Sequence, residues 1–271
     1  MQPGPENRND SPPGAKAELV EACLREGAFS PHRHDTYTIA LTTTGVQSFN
    51  YRGENRRSLP GQVMVLHPDE VHDGYCCDEA GFSYRAAYLP PGDVQTVLGG
   101  APLPFLSNGV SADPALVTAA LRFVEMCATD SEPLGYQDAL QQLVSAMQGC
   151  AGQAQAKRTV NTRAVMRVRD FLDSVPDPGT GLDQLEAIAG YDRWQLSRDF
   201  RWLLGTSPYR YLQCRRIERA RQLLRSGLPL AAAAHEAGFA DQSHFGRIFK
   251  RTLGTTPLAW RQGERSRTIV L

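Results

Sequence analysis

The chain has 271 residues, and its 29 Lys and Arg residues balance its 29 Asp and Glu residues. This length is sufficient for two domains that each bury a hydrophobic core. The balance conceals a division, because residues 1–156 contain 9 basic and 18 acidic residues whereas residues 157–271 contain 20 and 11. The positive excess on the second part alone indicates a polyanionic partner for that part.

No apolar stretch approaches the roughly 18 residues that a membrane span needs, which argues against a membrane protein. The first residues are polar and Pro-rich without the apolar core of a signal peptide. Residues 1–17 are therefore expected to be disordered, and the protein is expected to be cytoplasmic. The 6 cysteines include no CxxC pair, so reduced thiols are expected. The adjacent Cys76 and Cys77 fit ordinary thiols better than a redox sensor.

Residues 18–150 are predicted to form one domain that begins with a β-barrel or β-sandwich. Short β-branched and aromatic segments alternate here with turns that contain Gly and Pro, at a spacing typical of all-β folds. The predicted strands are Tyr37–Thr44, Gln47–Arg52, Val63–Leu66 and Phe82–Leu89.

Helical periodicity replaces this pattern from Asp113 onwards. Two apolar helix faces are predicted, one of Leu116, Ala120, Phe123 and Cys127 and the other of Leu140, Leu143, Val144 and Met147. Such faces suit either dimerisation or packing against the strands. The small and polar residues 151–161 are predicted to link this domain to a second, all-α domain at residues 162–263.

A pattern of 14 residues occurs twice in the second domain, 49 positions apart. The copies are Arg198–Tyr211 (RDFRWLLGTSPYRY) and Arg247–Trp260 (RIFKRTLGTTPLAW). They share Arg, Phe, a basic residue, Leu, Gly-Thr, a hydroxyl residue, Pro and a final aromatic residue in register. A turn of Ala, Gly and an aromatic residue precedes each copy. The sequence therefore predicts two helix-turn-helix units, at residues 182–204 and 230–252.

The second helix of each unit combines an apolar seam with an outward polar face. In the first unit that face comprises Trp194, Ser197, Arg198 and Arg201. In the second it comprises Gln242, Ser243, His244, Gly246, Arg247 and Lys250. Arginine can donate two hydrogen bonds to guanine and glutamine suits adenine, so both faces are predicted to read bases in the major groove of double-stranded DNA.

A helix between Ser207 and Gly227 is predicted to join the two units. Ser207 is a good N-cap, Pro208 suits the first helical position, and Gly227 suits the position after the helix end. A helix of about 18 residues would be about 27 Å long, which could place two recognition helices in successive major grooves. Ile217, Ala220 and Leu224 are predicted to form its buried stripe, and Arg215, Arg219 and Arg221 to contact phosphates.

Residues Leu182 to Arg261 resemble the DNA-binding domain of the AraC/XylS family of bacterial transcription regulators. The most specific matches are Gly238–Lys250, the following Gly254–Pro257, and Arg216–Arg221 in the joining helix. The resemblance implies that Trp194, Ser197, Arg198, Gln242, Ser243, His244 and Arg247 read bases. It also implies an activator that contacts RNA polymerase and binds promoter DNA as a homodimer.

The first domain resembles the cupin-type barrel that precedes the DNA-binding domain in this family. The matching segments are Phe29–His34, Leu59–Gly61 and His67–His72, with Asp69 where glycine is usual. By resemblance this barrel binds a small-molecule effector and the following helices dimerise. The candidate effector-binding residues are His32, Arg33, His34, Tyr37, His72 and Tyr84.

The three histidines among these residues raise the question of a metal site. Imidazole groups in a barrel are suitable ligands for zinc, iron or nickel. Metal-binding cupins also have a Glu a few residues after the His-x-His, and residues 35–39 contain none. We therefore expect no metal or other cofactor, with the histidines lining or bordering the effector pocket or making structural hydrogen bonds.

Together these observations predict an α+β multidomain, sequence-specific transcription factor that is controlled by a small-molecule effector and is not an enzyme. One alternative is a cupin metalloenzyme fused to a DNA-binding tether, which would need a metal bound by His32, His34 and His72. A second alternative, a DNA-repair adaptor of the methyl-accepting kind, would need clustered cysteines near the N-terminus, and these are absent. The effector, the operator, the regulated genes, the sign of regulation and the oligomeric state are not encoded in any recognisable pattern.

Overall fold

The computed structural model describes residues 17–24, 28–76, 81–129, 133–151, 159–174 and 179–267. The chain divides into two compact units between residues 158 and 159. The boundary falls inside the predicted linker, residues 151–161. Most of that linker, nearly all of the predicted disordered segment 1–17, and Cys77 lie outside the described residues.

The first unit contains two antiparallel sheets. The strands are β1 (Glu18–Leu24), β2 (Ala28–His32), β3 (Tyr37–Gly45), β4 (Gln47–Tyr51), β5 (Glu54–Ser58), β6 (Val63–Leu66), β7 (His72–Cys76), β8 (Phe82–Leu89) and β9 (Val110–Ser111). The described strands form one sheet in the order β1-β8-β3-β6-β9 and another in the order β2-β7-β4-β5. The sheets do not close into one hydrogen-bonded barrel, so the predicted cupin-like barrel is realised as an open, cupin-like sandwich.

Side chains along β3 and β8 alternate between the two faces of the five-stranded sheet, and both faces are buried. One face contributes Ala40, Tyr84 and Ala86 to a core shared with Phe49 and Tyr51 of the other sheet. The opposite face packs against helices. Residues directly opposite each other in neighbouring strands share a face. Thr38, opposite both Leu66 and Tyr88, therefore lies on the inner face.

Three helices complete this unit: α1 (Pro91–Leu98), α2 (Pro114–Ala128) and α3 (Pro133–Cys150). The side chain of Asp113 caps α2 by accepting hydrogen bonds from the backbone N–H groups of Ala115 and Leu116. The predicted apolar faces of α2 and α3 are buried in the same core as the outer face of the five-stranded sheet. Both faces therefore pack within this unit, α2 against the strands and α3 against α1 and α2.

Asp69, the residue that departs from the cupin pattern, lies in the turn between β6 and β7. Asp69 has a φ of 66°, which is the left-handed region where glycine is favoured. Aspartate tolerates this region better than most residues, because its short polar side chain can bond locally. The backbone N–H of Asp69 donates to the carbonyl oxygen of His34 at 2.7 Å. The turn thereby holds the loop between β2 and β3.

The second unit is helical throughout its described part. Its helices are α4 (Thr162–Asp173), α5 (Leu182–Ala189), α6 (Arg193–Leu204), α7 (Pro208–Arg225), α8 (Leu230–Glu236), α9 (Gln242–Leu253) and α10 (Pro257–Arg267). Helices α5 and α6 form the first predicted helix-turn-helix unit, and α8 and α9 form the second. The joining helix α7 has the predicted 18 residues, with Ile217, Ala220 and Leu224 buried as expected.

The repeated sequence folds as a repeated structure. Phe200 and Tyr211 pack edge to face with ring centres 5.6 Å apart, and Phe249 and Trp260 do so at 5.9 Å. Gly254, which follows α9, has a φ of 72° and lets the chain turn out of the helix. Each aromatic pair thus fixes the second helix of its unit against the helix that follows.

Side-chain caps begin both second helices and both following helices. Asp192 accepts from the backbone N–H groups of Trp194 and Gln195 at 3.0 Å. Asp241 accepts from the backbone N–H of His244 at 2.6 Å. Ser207 caps α7 and Thr256 caps α10, as the repeat predicts. Such caps typically contribute about 1 kcal/mol each to helix stability.

The prediction that Arg221 contacts phosphates is wrong. Its side chain is only 2% exposed and forms an ion pair with Glu218 at 2.6 Å. It also lies against the ring of Trp260, 5.4 Å from the ring centre. Arg221 falls three residues before Leu224 and shares its buried face, because helical neighbours at this spacing lie together. Arg219, by contrast, is exposed.

None of the described helices is long and apolar enough to span a membrane.

Substitution Phe249→Ala should lower the free energy of unfolding of the second unit by about 3–5 kcal/mol, because the ring is fully buried. Substitution Trp194→Ala is the matched control, since this aromatic side chain is 71% exposed. It should change stability by no more than about 0.5 kcal/mol. Urea unfolding of the full chain, followed by helical circular dichroism, checks both values. Equal effects of the two substitutions would contradict the assigned core.

Candidate DNA-binding surface and effector site

Helix α6 presents the predicted reading face to the surface. Trp194 projects with most of its ring exposed, and Arg198 and Arg201 are exposed beside it. The Arg201 guanidinium donates to the Ser197 hydroxyl at 2.6 Å, and Arg198 donates to the side chain of Gln195 at 2.8 Å. All four predicted residues of this helix therefore occupy one connected surface.

Helix α9 presents the corresponding face in the second unit. Gln242, Ser243, Arg247 and Lys250 are exposed. His244 is half-buried, and its ring packs edge to face on Phe239 with ring centres 5.7 Å apart. Part of the His244 ring is thus committed to the fold, while its position at the first turn keeps it beside Gln242 and Ser243. Phe245, Ile248 and Phe249 occupy the opposite, buried face.

The turn between α5 and α6 contains an ion-pair network that the sequence had not led us to expect. The Arg193 guanidinium donates to Glu186 and to Asp183, at 2.6 Å in each case. Its backbone N–H also donates to Glu186, at 2.7 Å. These bonds from Arg193 lower the pKa of the Glu186 carboxyl group. Acidic residues three apart on the first helix, followed by Arg at the start of the second, are a readable signal for this contact.

In the first unit of the chain, three of the predicted effector-binding residues come together. The imidazole ring centres of His32, His34 and His72 lie 4.5–5.1 Å from one another. His32 and His72 are cross-strand partners in β2 and β7, and His34 lies in the loop that follows β2. His34 and His72 are buried, and His32 is half-buried. We refer to these three residues as the histidine cluster.

Hydrogen bonds determine the tautomers of two of these rings. The Nδ1 atom of His32 lies 2.7 Å from the carbonyl oxygen of Ser30, and that of His72 lies 3.1 Å from the carbonyl oxygen of Glu70. Because a carbonyl oxygen can only accept, Nδ1 carries the hydrogen in both rings. Burial lowers the pKa of His32, and burial together with His32 lowers that of His72 to about 3. Both imidazoles are therefore neutral at pH 7, with a lone pair on Nε2.

Tyr88 also belongs to this site, although sequence reasoning did not name it. Its ring packs edge to face on His34, with ring centres 5.0 Å apart. It follows Tyr84 by four residues in β8, so the strand period of two places both on the inner face. Alternation along Phe82–Leu89 was the signal that could have identified it.

Polar atoms on the inner surface have no partner in the described part of the chain. The hydroxyl group of Thr38 and the side-chain oxygen of Gln47 are buried without a hydrogen bond there. A buried polar group without a partner costs about 1–3 kcal/mol, so a polar ligand that bonds to these atoms would be stabilised. The inner surface of the sandwich therefore carries polar atoms that are candidates for contact with a ligand.

Two predicted effector-binding residues lie elsewhere. Tyr37 faces the helices rather than the interior, because it belongs to the odd-numbered face of β3, and its hydroxyl donates to the carbonyl oxygen of Pro104 at 2.8 Å. The prediction that Tyr37 recognises a ligand is therefore corrected. Arg33 is paired with Asp69 at 3.4 Å. Its guanidinium holds the turn after β6.

Comparison with known protein families gives matches over both parts of the chain. Residues 15–159 match the AraC-like ligand binding domain, and residues 185–263 match a helix-turn-helix domain. The first match alone covers more than half of the 271 residues.

Two relatives illustrate the similarity over most of the chain. The HTH-type transcriptional regulator YbfI of Bacillus subtilis is 25% identical over 80% of this chain and 81% of its own length. The HTH-type transcriptional activator RhaS of Escherichia fergusonii is 26% identical over 90% of this chain and 91% of its own.

Among solved structures, ToxT from Vibrio cholerae has the same architecture. It superimposes with a TM-score of 0.66 at 10% identity, covering 92% of this chain and 98% of ToxT. A second structure, of ToxT bound to an unsaturated fatty acid, has a TM-score of 0.62 at 12% identity, with 90% and 94% covered. At these identities the likeness establishes the fold.

These matches favour a regulator and give no support to the metalloenzyme alternative, because the similar proteins are named as transcriptional regulators and activators. The paired helix-turn-helix units and the cupin-like sandwich account for both matched domains. The chain belongs to the AraC family of transcriptional regulators.

Proposed function

We propose that this regulator reads two adjacent boxes of promoter DNA, one with α6 and the other with α9. The observation that carries the proposal is the structural repeat. Both helices bury an aromatic seam and are capped by an aspartate, and both expose an arginine at the equivalent position, Arg198 and Arg247. Two copies of one surface are suited to two similar contacts with a duplex.

The joining helix sets the scale of the bipartite site. At 18 residues, α7 is about 27 Å long, which approaches the separation of about 34 Å between successive major grooves. It is held on one side by the core of the second helix-turn-helix unit. A rigid spacer of this length favours two boxes about one helical turn apart.

Different residues are proposed to provide affinity and specificity. Trp194, Ser197 and Arg198 would contact base edges in the first box, as would Gln242, Ser243, His244 and Arg247 in the second. Arg201 and Lys250, one turn further along their helices, would contact phosphates together with Arg215 and Arg219. Phosphate contacts supply salt-dependent affinity, whereas contacts with base edges supply sequence preference.

The effector is proposed to bind in the interior of the sandwich. The histidine cluster, Tyr84 and Tyr88 line this region together with the buried oxygen atoms of Thr38 and Gln47. The structure of ToxT with an unsaturated fatty acid shows that a protein of this architecture can hold a small molecule. For this chain, the polar atoms favour an effector that has a polar or anionic group.

The mode of regulation is proposed from the relatives. RhaS of Escherichia fergusonii is named a transcriptional activator, and we propose that this chain also activates transcription, through contact with RNA polymerase. We further propose that it works in the cytoplasm as a homodimer. The apolar faces of α2 and α3 are used inside the first unit, so the dimer contact would involve their exposed residues, such as Leu121 and Leu134.

Selection of bound sequences from a random duplex pool tests the proposed reading mode. The purified full chain should enrich two short boxes about 10 base pairs apart, at a fixed physiological salt concentration. Enrichment of a single box would contradict the bipartite reading. Binding that depends on salt but enriches no sequence would show that the basic unit is only an electrostatic tether.

Substitutions Arg198→Ala and Arg247→Ala should each cost about 1–3 kcal/mol of specific binding if each side chain reads guanine. Each should also relax the base preference of one box and leave the other box intact, because the two residues lie in separate units. Fluorescence anisotropy with the selected duplex and with single-box mutants measures this. Arg57→Ala is the matched control, since Arg57 is an exposed arginine of β5. Loss of preference at both boxes from one substitution would refute the assignment.

Gly246 offers a test of how closely α9 approaches the DNA. A Cβ atom at this position would meet nothing within 4 Å inside the protein. Gly246→Ala should therefore raise the free energy of unfolding by about 0.5–1 kcal/mol. Gly246→Leu should fold equally well but weaken specific DNA binding by about tenfold or more, because its side chain would occupy the groove face.

The matched control for this pair is Gly149→Leu. Gly149 lies on an exposed side of α3, and a Cβ atom there would likewise meet nothing within 4 Å. This substitution should leave DNA binding unchanged. Equal binding by Gly246→Leu and the parent chain would show that this side of α9 faces away from the duplex.

A further inference from the structure

The histidine cluster has the dimensions of a metal site. With a Zn–N distance of about 2.0–2.1 Å and tetrahedral angles, three imidazole ring centres around one ion lie about 5 Å apart. The observed separations are 4.9, 4.5 and 5.1 Å. One potential ligand atom from each ring lies within 4.8 Å of the others. Small rotations of the rings would bring these atoms to the distances that a shared ion requires.

We propose that His32, His34 and His72 bind one divalent transition metal ion, with Zn²⁺ as the best match. The site goes beyond the proposed DNA-reading function and does not depend on it. The sequence led us to expect no metal, because no Glu follows the His-x-His of β2. The fold places the third imidazole of this set, His72 of β7, directly opposite His32 in the sheet.

The hydrogen bonds of the cluster prepare its rings for an ion. His32 and His72 each donate from Nδ1 to a backbone carbonyl oxygen, of Ser30 and Glu70 respectively. Histidines that bind metals nearly always donate their other ring N–H in this way, which orients the ring and directs the remaining lone pair. In each ring the hydrogen on Nδ1 is thereby committed to the backbone, which leaves Nε2 as the atom available to an ion.

The turn between β6 and β7 holds the remaining ligand and one of its neighbours. The backbone N–H of Asp69 donates to the carbonyl oxygen of His34, and the side chain of Asp69 pairs with Arg33. The same turn supplies the Glu70 carbonyl group that orients His72. One tight turn thus positions two of the three proposed ligands, His34 and His72. Hydrogen bonds of this kind orient the histidines of metal sites.

The donor set indicates the class of ion. Three imidazole groups suit zinc, copper, iron or nickel and disfavour Mg²⁺ and Ca²⁺, which prefer oxygen ligands. Zn²⁺ is commonly four-coordinate, so three protein ligands leave one position for a further donor. The inward-facing hydroxyl of Thr38 and the ring of Tyr88 border this region. A metal-bound open position would give an anionic effector a direct point of attachment.

A Zn²⁺ titration of the chelator-treated, chemically reduced full chain tests the site. In competition with a chromophoric chelator of micromolar affinity, one Zn²⁺ should bind per chain. Substitutions His32→Gln, His34→Gln and His72→Gln should each weaken binding by about 100-fold or more, since even outer-shell changes cost up to that much. Zn²⁺ should also raise the melting temperature of the parent chain but not that of the three variants.

His67→Gln and His235→Gln are the matched controls. His67 lies in the same unit with its ring against Tyr37 and Phe105, and His235 is exposed on α8. Both controls should retain the parent affinity. The Co²⁺-loaded chain should show visible d–d bands without a thiolate charge-transfer band, which separates the histidine cluster from the cysteines.

Three results would overturn the proposal: failure of the folded chain to bind Zn²⁺, full binding by all three variants, or a thiolate band in the Co²⁺ form. If His72→Gln loses the circular dichroism of the sheet, His34→Gln gives the same test from a loop position. DNA selection with the metal-loaded chain keeps the two proposals apart. Zn²⁺ binding without enriched boxes overturns only the reading mode, and enriched boxes without Zn²⁺ binding overturn only the metal site.

Discussion

Burial of an aromatic residue on one side of each recognition helix is the constraint on which the DNA-binding unit depends. Phe200 packs on Tyr211 and Phe249 packs on Trp260. Since a helix has 3.6 residues per turn, burying these rings turns the residues two positions before and one position after them outward. Arg198 with Arg201, and Arg247 with Lys250, occupy those positions. One packing contact, used twice, therefore creates two equivalent basic faces.

In the first unit, the corresponding constraint is that successive side chains of a β-strand point to opposite faces of the sheet. The five-stranded sheet is buried on both faces, so each of its strands sends alternate side chains into two different cores. This alternation decides which aromatic residues can meet a ligand. Tyr84 and Tyr88 lie inside the sandwich, whereas Tyr37 supports the helices. The apolar faces of α2 and α3 are buried in the core on the outer side of the five-stranded sheet. Their amphipathicity therefore does not by itself indicate a dimer.

The elements with a strong local pattern were predicted from the sequence almost to the residue. Strands Val63–Leu66 and Phe82–Leu89 have the predicted bounds, and helix Pro208–Arg225 has the predicted cap and length, because apolar periodicity and capping residues act over a few positions. Strands β1, β2, β5, β7 and β9 were not predicted. Their residues are mixed in polarity. Strands β1, β2, β7 and β9 pair with neighbours that are distant in sequence, whereas β5 forms a hairpin with β4.

The candidate sites also contain some features that the sequence predicted and others that depend on the tertiary structure. The sequence alone predicted the two outward polar faces of α6 and α9, since every residue of each face lies within one helix and its neighbours follow from helical geometry. It did not predict that Arg221 is buried with Glu218, because the buried face of α7 is wider than the predicted stripe of Ile217, Ala220 and Leu224. Nor did it place Tyr88 beside His32, His34 and His72, which the resemblance had already grouped as candidates for one site. Only the pairing of β2 with β7, and the turn at Asp69, bring these side chains together, because contacts between distant segments depend on the whole fold.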